Sequence, residues 1–152
     1  MDPELRLLRT LLDEGFGKAS WHGPNLSGSL RGVTAEEAAW RPSAGRHNIW
    51  ELTVHAAYWK YAARRRLAGE KRGSFPLKGS NWFPRSGEGG KAAWRDDLQL
   101  LRSQHEALRA AVGALRTVDT RESRLIRGVA VHDLYHAGQI QLLKRLQRSA
   151  SR

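Results

Sequence analysis

The sequence predicts an all-α fold, a four-helix bundle forming a single domain over residues 1–152. Three observations carry this expectation. Four long segments repeat apolar residues at steps of three and four, which lines one face of a helix. No segment keeps the strict alternation of a half-buried strand. The chain has 152 residues, 40% of them apolar and 27% charged, a balance that suits one globular domain.

The first helix is expected over about Pro3 to Phe16. Asp2 is a suitable N-cap, Pro3 fits the first helical position, and Gly15 and Gly17 end it. Leu5, Leu8, Leu12 and Phe16 make its apolar face. The second begins near Asn48, a good cap residue, and runs to about Leu67, with Gly69 as the stop. Its stripe reads Leu52, Ala56, Trp59, Ala63, Leu67.

The third covers about Lys91 to Leu115, with Trp94, Leu98, Leu101, Leu108, Val112 and Leu115 along a heptad-like seam. The fourth starts after Thr120, with Thr120-Arg-Glu-Ser as a weak cap, and reaches about Gln147. A short helix ending at Arg31 and a loop over Arg41–Arg46 join the first two long segments. A Gly-, Pro- and Ser-rich stretch from Gly73 to Gly90 joins the second and third.

Composition narrows the function. The chain has no cysteine, which excludes disulfides, thiolate metal sites and a cysteine nucleophile. No apolar run approaches the ~18 residues of a membrane span. Charges interrupt the apolar residues of the first segment, which argues against a secretory signal, so cytoplasmic residence is expected. Net charge is +11, from 26 basic and 15 acidic residues. That field attracts anions, so nucleic acid is a possible partner. It is not the favoured one. The basic residues are spread along the chain, Arg64-Arg65-Arg66 and Lys71-Arg72 being the densest group, and neither helix-turn-helix nor zinc-finger spacing occurs.

The fourth helix carries the anomaly. Its inward stripe should read Leu125, Val129, 132, 136, 139, Leu143, Leu146, and the middle three positions are His132, His136 and Gln139. A buried polar group without a partner costs about 1–3 kcal/mol, so two imidazoles one turn apart need a reason. His55 lies on the second helix's stripe, between Leu52 and Trp59. Three neutral imidazoles and no thiolate suit zinc, nickel or another transition metal, and three protein ligands leave a tetrahedral ion one open position. His132-Asp133 lacks the Glu of the H-E-x-x-H protease signature, so a protease is rejected.

His105 falls in the third helix's seam, as a core residue or a fourth ligand. His22, beside Gly23-Pro24, is a site residue or an ordinary loop residue, and His47 reads as a helix flank. Gln139 is placed to orient a ligand, as a catalytic candidate. Glu51, one turn before His55, is either a general base or hydrogen-bond acceptor at the site, or a solvated first-turn acid. Tyr58 and Tyr135 could donate hydrogen bonds at the site or pack. Trp82 and Phe83 could wall the open end of the bundle or anchor their loop.

The whole pattern resembles the DinB-like (YfiT-like) superfamily. Asn48-Ile-Trp-Glu-Leu-Thr-Val-His55-Ala-Ala-Tyr-Trp59 and His132-Asp-Leu-Tyr-His136-Ala-Gly-Gln-Ile140 carry the likeness, with Trp21-His-Gly-Pro and Trp40-Arg-Pro. The resemblance implies an up-down-down-up bundle, often a homodimer, holding zinc or nickel on His55, His132 and His136. It also implies a metal-dependent enzyme acting on a small molecule, a thiol-dependent S-transferase or a hydrolase, with a low-molecular-weight thiol as co-reactant. Two other functions stand beside it: a basic, nucleic-acid-associated stress protein, and a bundle in which the metal is only structural.

Overall fold

The computed structural model describes residues 2–152. Among them are six α-helices and no strand. Helix α1 spans Pro3–Phe16, with the Asp2 carboxylate accepting from the Glu4 amide, as the sequence predicts. Two short helices follow, α2 over Leu26–Leu30 and α3 over Ala35–Ala39. The long ones are α4 (Ile49–Leu67), α5 (Gly90–Ala114) and α6 (Thr120–Ala150). Helix α3 was not expected. Its signal is nonetheless in the sequence: Thr34 and Glu37 cap each other's amides reciprocally. At α6 the cap is Asp119, one residue before the expected position, again with a reciprocal glutamate, Glu122.

The four long helices form the body. Helix α4 packs against α5 and α6, and α1 packs against the same two, so α1 and α4 stand diagonally opposed. Contact between α1 and α6 is close at Gly15, where an added Cβ would lie 2.9 Å from the Ala130 carbonyl oxygen.

The core has two apolar parts. One gathers Trp50, Leu52, Phe83, Trp94, Leu101 and Ile140 around the first half of α4. The other gathers Leu5, Leu8, Leu12, Leu108, Val112 and Ile126. A polar layer lies between them. On α4, Lys60 separates Ala57 from Ala63; on α5, His105 separates Leu101 from Leu108; on α6, Asp133 separates Val129 from Ile140.

Lys60 and Asp133 are both fully buried and form an ion pair. Burial pushes the Asp133 carboxyl up to about 6 and the Lys60 amine down, and each partner's charge offsets part of that effect. The Lys60 ammonium also lies 4.9 Å from the centre of the Phe16 ring, on which His105 stacks at 3.7 Å. His105 is therefore a core residue. Burial, and then the Lys60 charge, hold its imidazole neutral, with a pKa pulled down to about 3.

The pair also shifts the inward face of α6. Its centre runs through Ile126, Ala130, Asp133, Ala137 and Ile140, all buried. Of the expected stripe, Val129, His136 and Leu143 are buried, whereas Leu125, His132 and Gln139 are half-buried at the edge of that face and Leu146 is exposed.

Two outcomes follow. Gly15→Ala should destabilise by about 1–3 kcal/mol, because a backbone carbonyl must move, whereas Gly138→Ala, with open space around it, should stabilise by up to about 1 kcal/mol. Chemical denaturation of both variants checks this. His105 has a folded-state pKa below its unfolded one, so its contribution is complete above pH ~6.5 and is lost as pH falls toward 3. His105→Phe, which keeps a ring against Phe16, should flatten the stability–pH curve between pH 6.5 and 4 by about 1 kcal/mol per pH unit.

Candidate metal centre

Helices α4 and α6 bring His55, His132 and His136 together, each offering one ring nitrogen within 4.8 Å of the others. His132 Nε2 stands 3.1 Å from His55 Nε2 and 3.0 Å from His136 Nε2. Nitrogens bound at about 2.0–2.1 Å to one tetrahedral ion lie roughly 3.3 Å apart, so the cluster is close to ligand spacing.

The hydrogen bonds behind the rings decide their protonation. His55 Nδ1 donates to the Asn81 carbonyl at 2.8 Å, and a carbonyl can only accept. His136 Nδ1 donates to Gln139 Oε1 at 2.6 Å. Both rings are neutral: burial holds His55 down to about 4 and lowers His136, the latter against the Gln139 bond. Each therefore turns an Nε2 lone pair inward. His132 is neutral too, lowered to about 3 by burial and then by His136 and His55, and its buried Nδ1 has no partner.

No placement of one proton on His132 satisfies this arrangement. On Nε2 it can serve only one of two facing lone pairs; on Nδ1 it leaves three lone pairs converging. A cation supplies what the protons cannot. Three neutral nitrogens fit a transition-metal ion, and among the described residues no carboxylate or further histidine completes the group.

The loop between α4 and α5 completes the surroundings. Asn81 adopts φ 65°, a left-handed conformation that Asn tolerates, and its side-chain oxygen accepts from Trp59 Nε1 at 2.9 Å. Trp82 is sandwiched between His55 and His47, with ring centres 3.8 and 3.6 Å away. Phe83 instead enters the core against Tyr58 and Phe75. The two aromatics thus divide the expected roles: Trp82 walls the site and Phe83 anchors the loop.

The remaining candidates separate clearly. Gln139 is at the cluster, where its side-chain oxygen accepts from His136 Nδ1, and it also lines the His136 cleft. Tyr135 is exposed beside His136, 5.1 Å between ring centres, and Tyr58 packs among aromatics. His22 lies in an exposed turn, and neither it nor His105 joins the cluster. Glu51 is buried, not solvated. Both its oxygens bond Arg41, and it also accepts from His47 Nδ1 at 2.8 Å and the Arg85 amide at 3.1 Å. Burial alone would raise its carboxyl; these bonds outweigh it and hold the group at about 2.

Sequence reasoning missed Asn81 and His47. The Asn81 contact uses a backbone carbonyl, which every residue carries. His47 precedes the Asn48 cap as expected, yet it also ties Glu51 to Trp82.

Two clefts reach the cluster. One of about 480 Å³ meets His132 and is lined by Trp59, Arg66, Arg121, Arg124 and Val129. The other, about 450 Å³, meets His136 and is lined by Trp82, Tyr135, Leu142, Leu143 and Leu146. Both are of small-molecule size.

The family model of the DinB superfamily matches residues 19–140, which include all three histidines. The chain belongs to the DinB superfamily. No curated protein and no solved structure matches it. The DinB superfamily is a helical-bundle family, in agreement with the fold seen here.

If Gln139 fixes the His136 ring for ligation, Gln139→Ala should weaken zinc affinity about 10–100-fold. A competition titration with a chromogenic chelator measures it, and unchanged affinity would assign the amide to packing alone.

Proposed function

We propose that this DinB superfamily protein is a metal-dependent enzyme acting on a small molecule, with His55, His132 and His136 holding a divalent zinc or nickel ion. The observation that carries the reading is the convergence of Nε2 lone pairs beside the partnerless Nδ1 of His132. When bound, such an ion supplies Lewis acidity, which lets a thiol or a water give up its proton near neutral pH.

The chain's own residues supply the rest. The Asn81 carbonyl and Gln139 hold two imidazoles with their donor lone pairs inward. Trp82 covers His55 from one side and leaves the two clefts as routes of entry. Glu51 acts by position: its ion pair with Arg41 and its bond to His47 fix the ring on which Trp82 stacks. At a pKa near 2 it is a poor general base, so proton removal falls to solvent or to the substrate's own groups.

Within this reading the reaction is thiol-dependent S-transfer or hydrolysis, with a low-molecular-weight thiol as co-reactant in the first case. The protein works as one domain in the cytoplasm, as a homodimer. The three-ligand cluster favours this over a purely structural ion, because a closed structural site takes a fourth protein ligand.

Chelator-treated protein tests the proposal. Restored with zinc or nickel, it should consume thiol in the presence of an alkyl or aryl electrophile, or hydrolyse an activated ester, in proportion to bound metal. His55→Ala should lose at least about 100-fold of that rate. Rates equal in the chelated, restored and His55→Ala samples would end the enzyme reading.

A further inference from the structure

The cleft that reaches His132 has an unusual charge. Its walls at Trp59, Leu125 and Val129 are apolar, yet three arginines, Arg66, Arg121 and Arg124, stand around it with no acidic residue among the lining. Arg66 lies over the Trp59 ring, 5.9 Å from its centre. The guanidinium groups of Arg121 and Arg124 make no hydrogen bond or ion pair with any described residue.

Elsewhere several arginines are committed. Arg41, Arg64, Arg85 and Arg109 each bind a carboxylate of this chain. Three guanidinium groups brought together without such a partner repel one another, and an oxyanion removes that repulsion. Guanidinium forks also match carboxylate and phosphate oxygens bidentately.

We infer that the His132 cleft is the recognition site for a small amphipathic anion: a phosphate monoester or a dicarboxylate held by Arg66, Arg121 and Arg124, with an apolar body along Trp59 and Val129. This rests on the proposed use of the histidine cluster, because the apolar part of such a molecule is directed toward His132. It names the chemical class of one reactant. The second cleft, walled by Leu142, Leu143 and Leu146, is free for the other.

The proposal separates from general attraction to a basic protein through a matched control. Arg127 is exposed on the same helix as Arg121 and Arg124 but does not line the cleft. Isothermal titration with phenyl phosphate, phenylsuccinate, inorganic phosphate and a single-stranded oligonucleotide is run on the protein as purified, its metal content measured in the same sample. Phenyl phosphate or phenylsuccinate should bind saturably and more tightly than inorganic phosphate. The double variant Arg121→Gln, Arg124→Gln should weaken this binding by at least about tenfold, and Arg127→Gln by less than about twofold.

Failure of both aryl anions to bind saturably would overturn the proposal. So would binding that the double variant leaves intact, since the anion would then sit elsewhere, including on a bound ion. Arginine-dependent binding of the oligonucleotide alone would assign the cleft to a nucleic-acid backbone, and also overturn it. Because metal content is read independently, arginine-dependent anion binding by protein that stays empty of metal after incubation with zinc and nickel would sink the metal reading and leave the anion site standing.

Discussion

Three neutral imidazoles that turn their lone pairs on one another, with too few protons to pair them, set the central constraint on this molecule. Burial keeps the rings from charging, and the bonds to Asn81 and Gln139 prevent two of them from turning away. A helical bundle gains nothing in stability from such an arrangement when no ion fills it. Much of the architecture then reads as support. Helices α4 and α6 supply the three histidines, and the α4–α5 loop supplies a carbonyl and an indole wall. The Glu51 network locks that loop to the start of α4 through Arg41, Asn48 and Arg85.

The same level of the bundle holds the Lys60–Asp133 pair, also fully desolvated. Such a pair contributes little net stability against an apolar alternative, but breaking it costs about 3–5 kcal/mol. Its position one residue from His132 couples the two features. Asp133 sits at the centre of the inward face of α6; beside it His132 is half-buried at the edge and His136 is buried, and each meets one of the two clefts.

The four long helices were legible from apolar spacing, and at α1 and α4 the caps agreed with it: Asp2, Asn48 and the glycines at their ends behave as their chemistry demands. The histidines were legible as polar residues inside apolar stripes. What pattern reading could not recover were groups that break its own premise. Lys60 and Asp133 are charged residues at the deepest positions of their helices, and a reading that puts charge outside displaces the α6 stripe by a fraction of a turn. Asn81 acts through its carbonyl, and the arginine cleft is assembled from α4 and α6, so neither has a local signature. Helix α3 did have one, the Thr34–Glu37 capping pair, in a segment too short for periodicity to mark.

Membership of the DinB superfamily and the three-histidine geometry support the metal more directly than any reaction, since fold and ligands constrain the ion while the clefts constrain the substrate. Metal stoichiometry is therefore the most direct test. Inductively coupled plasma mass spectrometry on tag-free protein, beside the His132→Ala, His136→Ala variant, should find about one zinc or nickel per wild-type chain and almost none in the variant. A wild type that stays empty after incubation with both ions would contradict the account, and the buried lone pairs would then require another partner.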